Sequence, residues 1–290
     1  MNRLAVVADS TTSIPERLLN ELKINIVPYY IHRGSEVLRD LVNIDRETFY
    51  RWLPGAAQLP TTASPGPGDY IAMYQGLVEG QGVNQIISLH MTSKGSGAYQ
   101  AAMAARAMLV ELLPRVQVEV IDTLNVSMAH GWLTIAAARA ALQGLSLAEA
   151  AAAVRRLIPL TRMVQTADTL KYLYMGGRIG RAKHLVGSLL NIKPLVGMED
   201  GLIVPLGAAR SRLQAYRMIV DTLAHSLEQG GRLRVAYVHA AALEEAENLR
   251  RLVEERLPVT EWMFAELSPA LGVHTGPGTV GVCYCIEREA

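Results

Sequence analysis

Cysteine is nearly absent: Cys283 and Cys285 are the two thiols in 290 residues. That count excludes a disulfide framework and fits a reducing compartment. Two cysteines do not close a zinc site, and neither a His-x3-His pair nor a second cysteine pair lies nearby. Two positions apart on a strand, they share a face and read as packing residues. Neither sign of charge is in excess, with 28 Lys+Arg against 27 Asp+Glu. Bulk charge therefore excludes a strongly basic nucleic-acid binder. Aromatic residues are sparse, at 6%, so Ala, Leu and Val carry much of the apolar content. No run of 18 apolar residues is free of charge, and the best candidate, Trp132–Leu142, contains Arg139. No transmembrane helix is expected. Met1–Asp9 runs straight into a strand pattern without a signal-peptide layout, so a cytoplasmic protein is expected.

Several nucleotide and hydrolase signatures are missing too. No G-x-x-x-x-G-K-[ST] occurs. Around Gly95-Ser96-Gly97, Gln100 stands where G-x-G-x-x-G needs its last glycine, and Lys94 where G-x-S-x-G needs its first. His32, His90, His130, His184, His225 and His239 show no metal-ligand spacing, so no metal is expected.

What is present suffices for a large core. Half of the residues are hydrophobic and 19% are charged, a balance that excludes disorder. At this mass, area scaling buries about three quarters of the chain's surface on folding. In the first half, short apolar runs (Leu4–Ala8, Ile24–Ile31 broken by Pro28, Gln85–Leu89, Val116–Ile121) alternate with helical patterns. Those helical patterns cover Pro67–Val78, Tyr99–Leu113, Val126–Leu142 and a segment opened by the capping box Ser146-x-x-Glu149. That alternation predicts an α/β lobe with a parallel sheet over residues 1–160. The second half predicts an α+β lobe with a mixed sheet over residues 161–290. Met163–Thr166 reads as extended, Gly176–Gly180 as a flexible loop, and Glu199-Asp200-Gly201 as the turn of a hairpin. Helices over Leu213–Leu227 and Leu243–Val253 and strands at Leu233–Val238, Glu261–Glu266 and Val280–Ile286 complete it.

Four loop segments hold the chemistry-bearing residues. Thr92–Gln100 follows a strand and opens a helix, so its free amides either favour an anion or simply cap the helix. Thr61 and Thr62 sit in an expected surface turn, as a plain loop or as two hydroxyls able to donate to a carboxylate. The Gly176–Arg181 loop presents Arg178 and Arg181, either to solvent or to a phosphate or acidic partner. His274 lies in a Gly/Pro loop before the last strand, as a solvated or a functional histidine. Asp9 follows the first strand, where α/β proteins often place functional groups, and reads either as such a group or, in preference, as a cap for the next turn.

In their order along the chain, these pieces resemble the DegV family of fatty-acid-binding proteins. The matching segments are Ala8-Asp9-Ser10-Thr11, Thr61-Thr62-x-x-Pro65-x-x-Gly68-Asp69-Tyr70 and Ser93-x-x-Ser96-Gly97-x-Tyr99-Gln100. They continue through Ile121-Asp122-Thr123, Leu170-Lys171-Tyr172-Leu173-x-x-Gly176-Gly177-Arg178-Ile179, Lys193-Pro194 and His274-Thr275-Gly276-Pro277-Gly278. The resemblance implies a two-lobed protein with one long-chain fatty acid buried between the lobes. It implies presentation of the carboxylate to a separate ATP-dependent kinase subunit, giving acyl phosphate for phospholipid synthesis in bacteria. The chain itself would be a lipid-binding carrier with no catalytic residue, no metal and no cofactor other than the bound fatty acid. Transient contact with a membrane surface would be compatible with that role. Carried over, the carboxylate-binding residues fall on Thr62 (Thr61 one position away), Ser93 and His274, beside Ser96 and Gly97. Arg178, Arg210 and Arg212 become candidates for partner or phosphate contact. Lys94-Gly95 departs from the family pattern, which has a leucine before the Ser-Gly pair.

Two other classes compete. An acyl-ester hydrolase would use Ser93 or Ser96 with His274, although G-x-S-x-G is missing. A DNA-binding protein is disfavoured by near-neutral charge and by the lack of a helix-turn-helix signal.

Overall fold

The computed structural model describes residues 4–183 and 192–288. Strand β1 (Leu4–Asp9) is buried almost throughout and ends in a single turn capped by Asp9, which accepts from the Thr11 N–H. Helix α1 (Glu16–Glu21) leads to β2 (Ile24–Val27), parallel to β1. The single strand expected over Ile24–Ile31 is in fact two. The chain leaves the sheet at Pro28, which has no N–H to offer a ladder. Strand β3 (Tyr30–Arg33) then pairs antiparallel with β4 (Glu36–Arg39) and, after α2 (Arg46–Trp52), with β5 (Thr61–Ala63). Thr61 and Thr62 therefore lie on a short strand, not in a surface turn. The strand is too short for its alternation to show in the sequence.

Helix α3 (Pro67–Gln81), β6 (Gln85–His90), α4 (Ala98–Leu112) and β7 (Gln117–Asp122) complete a parallel sheet of order β2-β1-β6-β7. Helices α3 and α4 cover one face of it, and α5 (Ser127–Leu142) and α6 (Leu147–Leu157) cover the other. The capping box at Ser146 and Glu149 forms as expected.

From residue 161 the chain builds a second sheet. It comprises β8 (Thr161–Thr166), then, after α7 (Lys171–Met175), β9 (Lys193–Glu199) and β10 (Leu202–Ala209). Helix α8 (Arg212–Ser226), β11 (Arg232–His239), α9 (Leu243–Glu254), β12 (Val259–Glu266), α10 (Pro269–Thr275) and β13 (Val280–Glu287) follow. Its order is β10-β9-β8-β13-β11-β12, with parallel pairing only between β11 and β12. The β9–β10 turn is Asp200-Gly201, both at positive φ (49° and 76°), as a two-residue hairpin of this twist requires.

Helix α5 joins the two lobes. Twelve of its sixteen residues are buried, because it packs on β1 and β6 on one side and on β8 and β13 on the other. A helix apolar all round is stable only when covered all round. The Trp132 indole N–H donates to the Cys283 carbonyl across this junction (3.0 Å). Cys283 and Cys285 are buried in the same core, and burial pushes the Cys283 thiol up to about 12. That makes it a packing group rather than a nucleophile. Among the described residues, no helix is long and apolar enough to cross a membrane, and no cluster of His, Cys, Asp and Glu could hold a metal ion. His184 lies outside the described residues.

Candidate functional site

A cavity of about 410 Å³ lies between the parallel sheet, the small antiparallel sheet and the β8–β9–β10 edge of the second sheet. That volume is within the usual range for small-molecule sites. Much of its wall is apolar, including Met91, Val126, Met163, Leu173, Met198 and Leu271. Polar groups interrupt it, among them Thr62 and Ser64 of the β5 strand and its exit, Ser96 before α4, Tyr29 and His274, with Lys94 and Arg178 also on the wall.

The central pair is Thr62 and His274, whose Oγ1 and Nε2 are 2.7 Å apart. Residue 62 pairs with Ile31 of β3, so β5 fixes the threonine in place. Thr61, one step along, pairs with His32 and is exposed. Side-chain alternation turns it away from its neighbour's face, so it does not line the cavity. His274, expected in a loop, sits in the last turn of α10. Pro269 opens that helix, and the buried Asp40 accepts from the Ala270 N–H (3.2 Å) and from Ser10 Oγ (2.6 Å). Ser268 N–H donates to Ser13 Oγ, so the helix start is tied to the loop after β1.

Burial holds His274 down to about 4, with Arg178 adding to the effect. The imidazole is therefore neutral at physiological pH. Its Nδ1 is buried without a hydrogen bond. The chain leaving α7 passes so close on that side that a Cβ on Gly176 would lie 2.3 Å from Nδ1. This contact, not left-handed backbone, demands glycine there. Gly276, at φ 75°, faces the Tyr172 ring in a similarly close approach.

Beside this pair, Ser96 Oγ lies 2.5 Å from Tyr29 OH and accepts from the Ala98 N–H. Burial, with the charge of Asp9, raises Tyr29 well above the ordinary phenol value, so it is a neutral donor. Ser93 lies in the same loop but does not line the cavity. Its backbone N–H is drawn to both carboxylate oxygens of Asp122 (3.2 Å), and Thr92, Lys94 and Ser96 form the wall instead.

The three arginines separate. Arg178 is exposed and lines the cavity, with Nη1 donating to the Gly176 carbonyl. Arg212 is not on the wall; it binds Asp168 (2.7 Å) and the Gly278 carbonyl (3.0 Å) and lies near Glu245. It thus pins the loop between α10 and β13. Arg210 is exposed and does not line the cavity. Neither serine contacts the histidine: Ser96 is bonded to Tyr29 and His274 to Thr62. The hydrolase expectation is therefore unsupported: among the described residues His274 Nδ1 has no carboxylate partner, and a Ser–His–Asp chain that does form, Ser88 Oγ to His90 Nε2 (2.9 Å) and His90 Nδ1 to Asp9 (3.5 Å), is wholly buried and does not line the cavity.

Sequence reasoning missed Tyr29, Ser64 and a buried cluster behind Met91. Asp9 does cap its turn, but it also accepts from the Met91 N–H (3.1 Å) and faces His90 Nδ1 (3.5 Å) and His130 Nδ1 (3.9 Å). Burial opposes ionisation of Asp9, yet His130, His90 and Thr11 together hold its carboxyl below the usual range. Asp9 was legible as a strand-end group, but its partners His90 and His130 were not, because they come from other segments of the chain.

Comparison with known proteins gives a consistent result. Residues 3–287 match the family model described as "Uncharacterised protein, DegV family". A DegV domain-containing protein of Caldanaerobacter subterraneus subsp. tengcongensis is 30% identical over 284 residues, covering 98% of this chain and 99% of that protein. A solved structure described as fatty acid binding of a DegV family protein from Thermus thermophilus superposes with a TM-score of 0.90. It is 30% identical, over 98% of this chain and 99% of the other. A stearic acid-binding protein from Eubacterium ventriosum superposes with a TM-score of 0.88 at 26% identity, over 99% and 98% of the two chains.

Proposed function

The chain belongs to the DegV family, and from that premise we propose that it binds one long-chain fatty acid in the 410 Å³ cavity and presents the carboxylate to a separate ATP-dependent kinase subunit. The observation that carries this reading is the Thr62–His274 pair, 2.7 Å apart, on the wall of a mainly apolar cavity. The relatives from Thermus thermophilus and Eubacterium ventriosum, described as binding a fatty acid and stearic acid, support the ligand class.

The energetics divide the work between tail and head. An acyl chain with about 15 buried methylenes gains up to ~12 kcal/mol at ~0.8 kcal/mol each, before association costs. A carboxylate buried without partners would cancel much of that gain. Thr62, Ser96, Tyr29 and the neutral His274 offer hydrogen bonds in place of water. Ser93 and Thr61 act from beside this group, by holding the loop and the strand that carry it. Uncharged donors leave a carboxylate oxygen free to attack the γ-phosphorus of ATP. The bond from that phosphorus to the bridging oxygen breaks, giving acyl phosphate and ADP. Arg178, at the rim, is placed to face the phosphate or the partner. Arg210 belongs to the exposed surface near the α8 start, and Arg212 holds the loop behind His274.

The test has two parts. Protein expressed in bacteria, extracted under denaturing conditions and weighed, should release fatty acid, and delipidated protein should take up palmitate or oleate. With a fatty acid kinase subunit and ATP, the bound acid should become acyl phosphate. An empty protein that takes up neither acid overturns the binding role. Uptake without transfer overturns the kinase role alone.

A further inference from the structure

Strands β8 and β9 pair over only three positions, Val164–Thr166 against Leu195–Gly197. On its other side β8 stays paired with β13 back to Thr161. The split therefore arises because β9 departs, carried off with its hairpin. The hairpin is held away by Thr92, whose Oγ1 donates to the Gly201 carbonyl at the turn (2.8 Å). Gly201 also has to be glycine, since a Cβ there would meet Thr92 Oγ1 at 2.4 Å.

A second cavity, of about 620 Å³, occupies this split, lined by Val204, Leu206 and Tyr284 but also by Arg162, Glu199 and Asp200. Among the described residues, Met163 and Met198 are the two that line both cavities. Each stands one residue beyond the last paired positions, Val164 and Gly197, where the strands begin to part. Both are buried, at 2% and 8% exposure. They lie in the core shared with α5, whereas Val164 lies in the core on the opposite face of the sheet. The polar pair Thr62–His274 lines only the first cavity.

We propose that Met163 and Met198 form the stop that sets acyl-chain length, closing the tail end of the binding cavity where the β8–β9 split would otherwise let it continue into the second. This rests on the fatty-acid reading of the first cavity. Methionine suits a stop that yields. Its side chain is unbranched and turns at three bonds, so a longer tail displaces it at small cost. A branched or aromatic residue in the same place would make a rigid wall.

The test measures affinity for saturated fatty acids from 12 to 24 carbons, by displacement of a fluorescent fatty acid from delipidated protein. In the double variant Met163→Ala, Met198→Ala the optimum should move at least two carbons longer. Affinity for a 22-carbon acid relative to palmitate should rise at least tenfold. Met198→Phe, which keeps the site filled, should move the optimum shorter and so tests the stop even if the alanine variant does not fold. An unchanged length profile in folded variants, or an equal loss at every length, overturns the assignment. Wild-type protein that binds no acid of any length overturns the fatty-acid reading itself. A moved optimum supports both.

Discussion

Gly176 stands against His274 with no room for a side chain: a Cβ would fall 2.3 Å from Nδ1 and 3.0 Å from the Tyr172 carbonyl. Its own backbone is ordinary, since it is not among the residues at positive φ. The requirement is therefore one of space and not of conformation. Gly176→Ala should push the imidazole away from Thr62. Phosphoryl transfer to bound fatty acid should fall at least tenfold, with palmitate affinity changed by less than about threefold, since the tail carries most of the burial. Wild-type transfer rates in a folded Gly176→Ala protein would contradict this.

Thr62→Val and His274→Ala should separate uptake from presentation. Each removes one hydrogen bond from the head group, an effect of about 1–3 kcal/mol on a charged group. Tail burial is untouched. Uptake measured by isothermal titration should weaken roughly 5- to 150-fold, while the transfer rate with kinase and ATP drops further. Equal losses in both measurements would show that head and tail do not divide the work.

The two serines of the β6–α4 loop should behave differently. Ser96 lines the cavity and bonds Tyr29, whereas Ser93 does not line it and is fixed through its backbone by Asp122. Ser96→Ala should lower transfer several-fold. Ser93→Ala should leave it within about twofold, because its anchoring bond uses the main chain. The reverse order in a kinase-coupled assay would move the head group towards Ser93.

Stability should depend on pH through Asp40. Burial raises its carboxyl from the ordinary 3.8 to about 6, despite the bonds from Ser10 and Ala270. A carboxyl raised on folding contributes its full stability below pH 3.8 and loses it as pH rises through 6. The loss is of order 3 kcal/mol. Asp40→Asn lacks this titration. Chemical denaturation at pH 4 and pH 7 should show the variant gaining on the wild type at the higher pH, and a constant difference would refute the assignment. His274, held down to about 4, acts in the opposite sense, costing stability as pH falls from 6.5 towards 4.

Much of the architecture was legible in the sequence because local signals and burial agreed there. The capping box at Ser146, the Asp200-Gly201 turn and the apolar run Gln85–Leu89, which forms the strand Gln85–His90, were each readable from local sequence. Short elements were not legible. β5 has three residues and α10 seven, too few to show a period, so Thr62 and His274 looked like loop residues. Their neighbours in space were equally hidden, since Thr62 and His274 are 212 residues apart in the chain.

The order of apolar runs, turn residues and caps by itself determined that this chain makes a parallel-sheet α/β lobe followed by an α+β lobe with a mixed sheet, and which segments carry polar residues near strand ends. Tertiary structure decided which of those residues share a wall. Strand alternation turned Thr62 inward and Thr61 outward, Asp122 held Ser93 aside, and ion pairing drew Arg212 away from the cavity. Each choice depends on partners supplied by distant segments, and only the packed chain brings those partners within bonding distance.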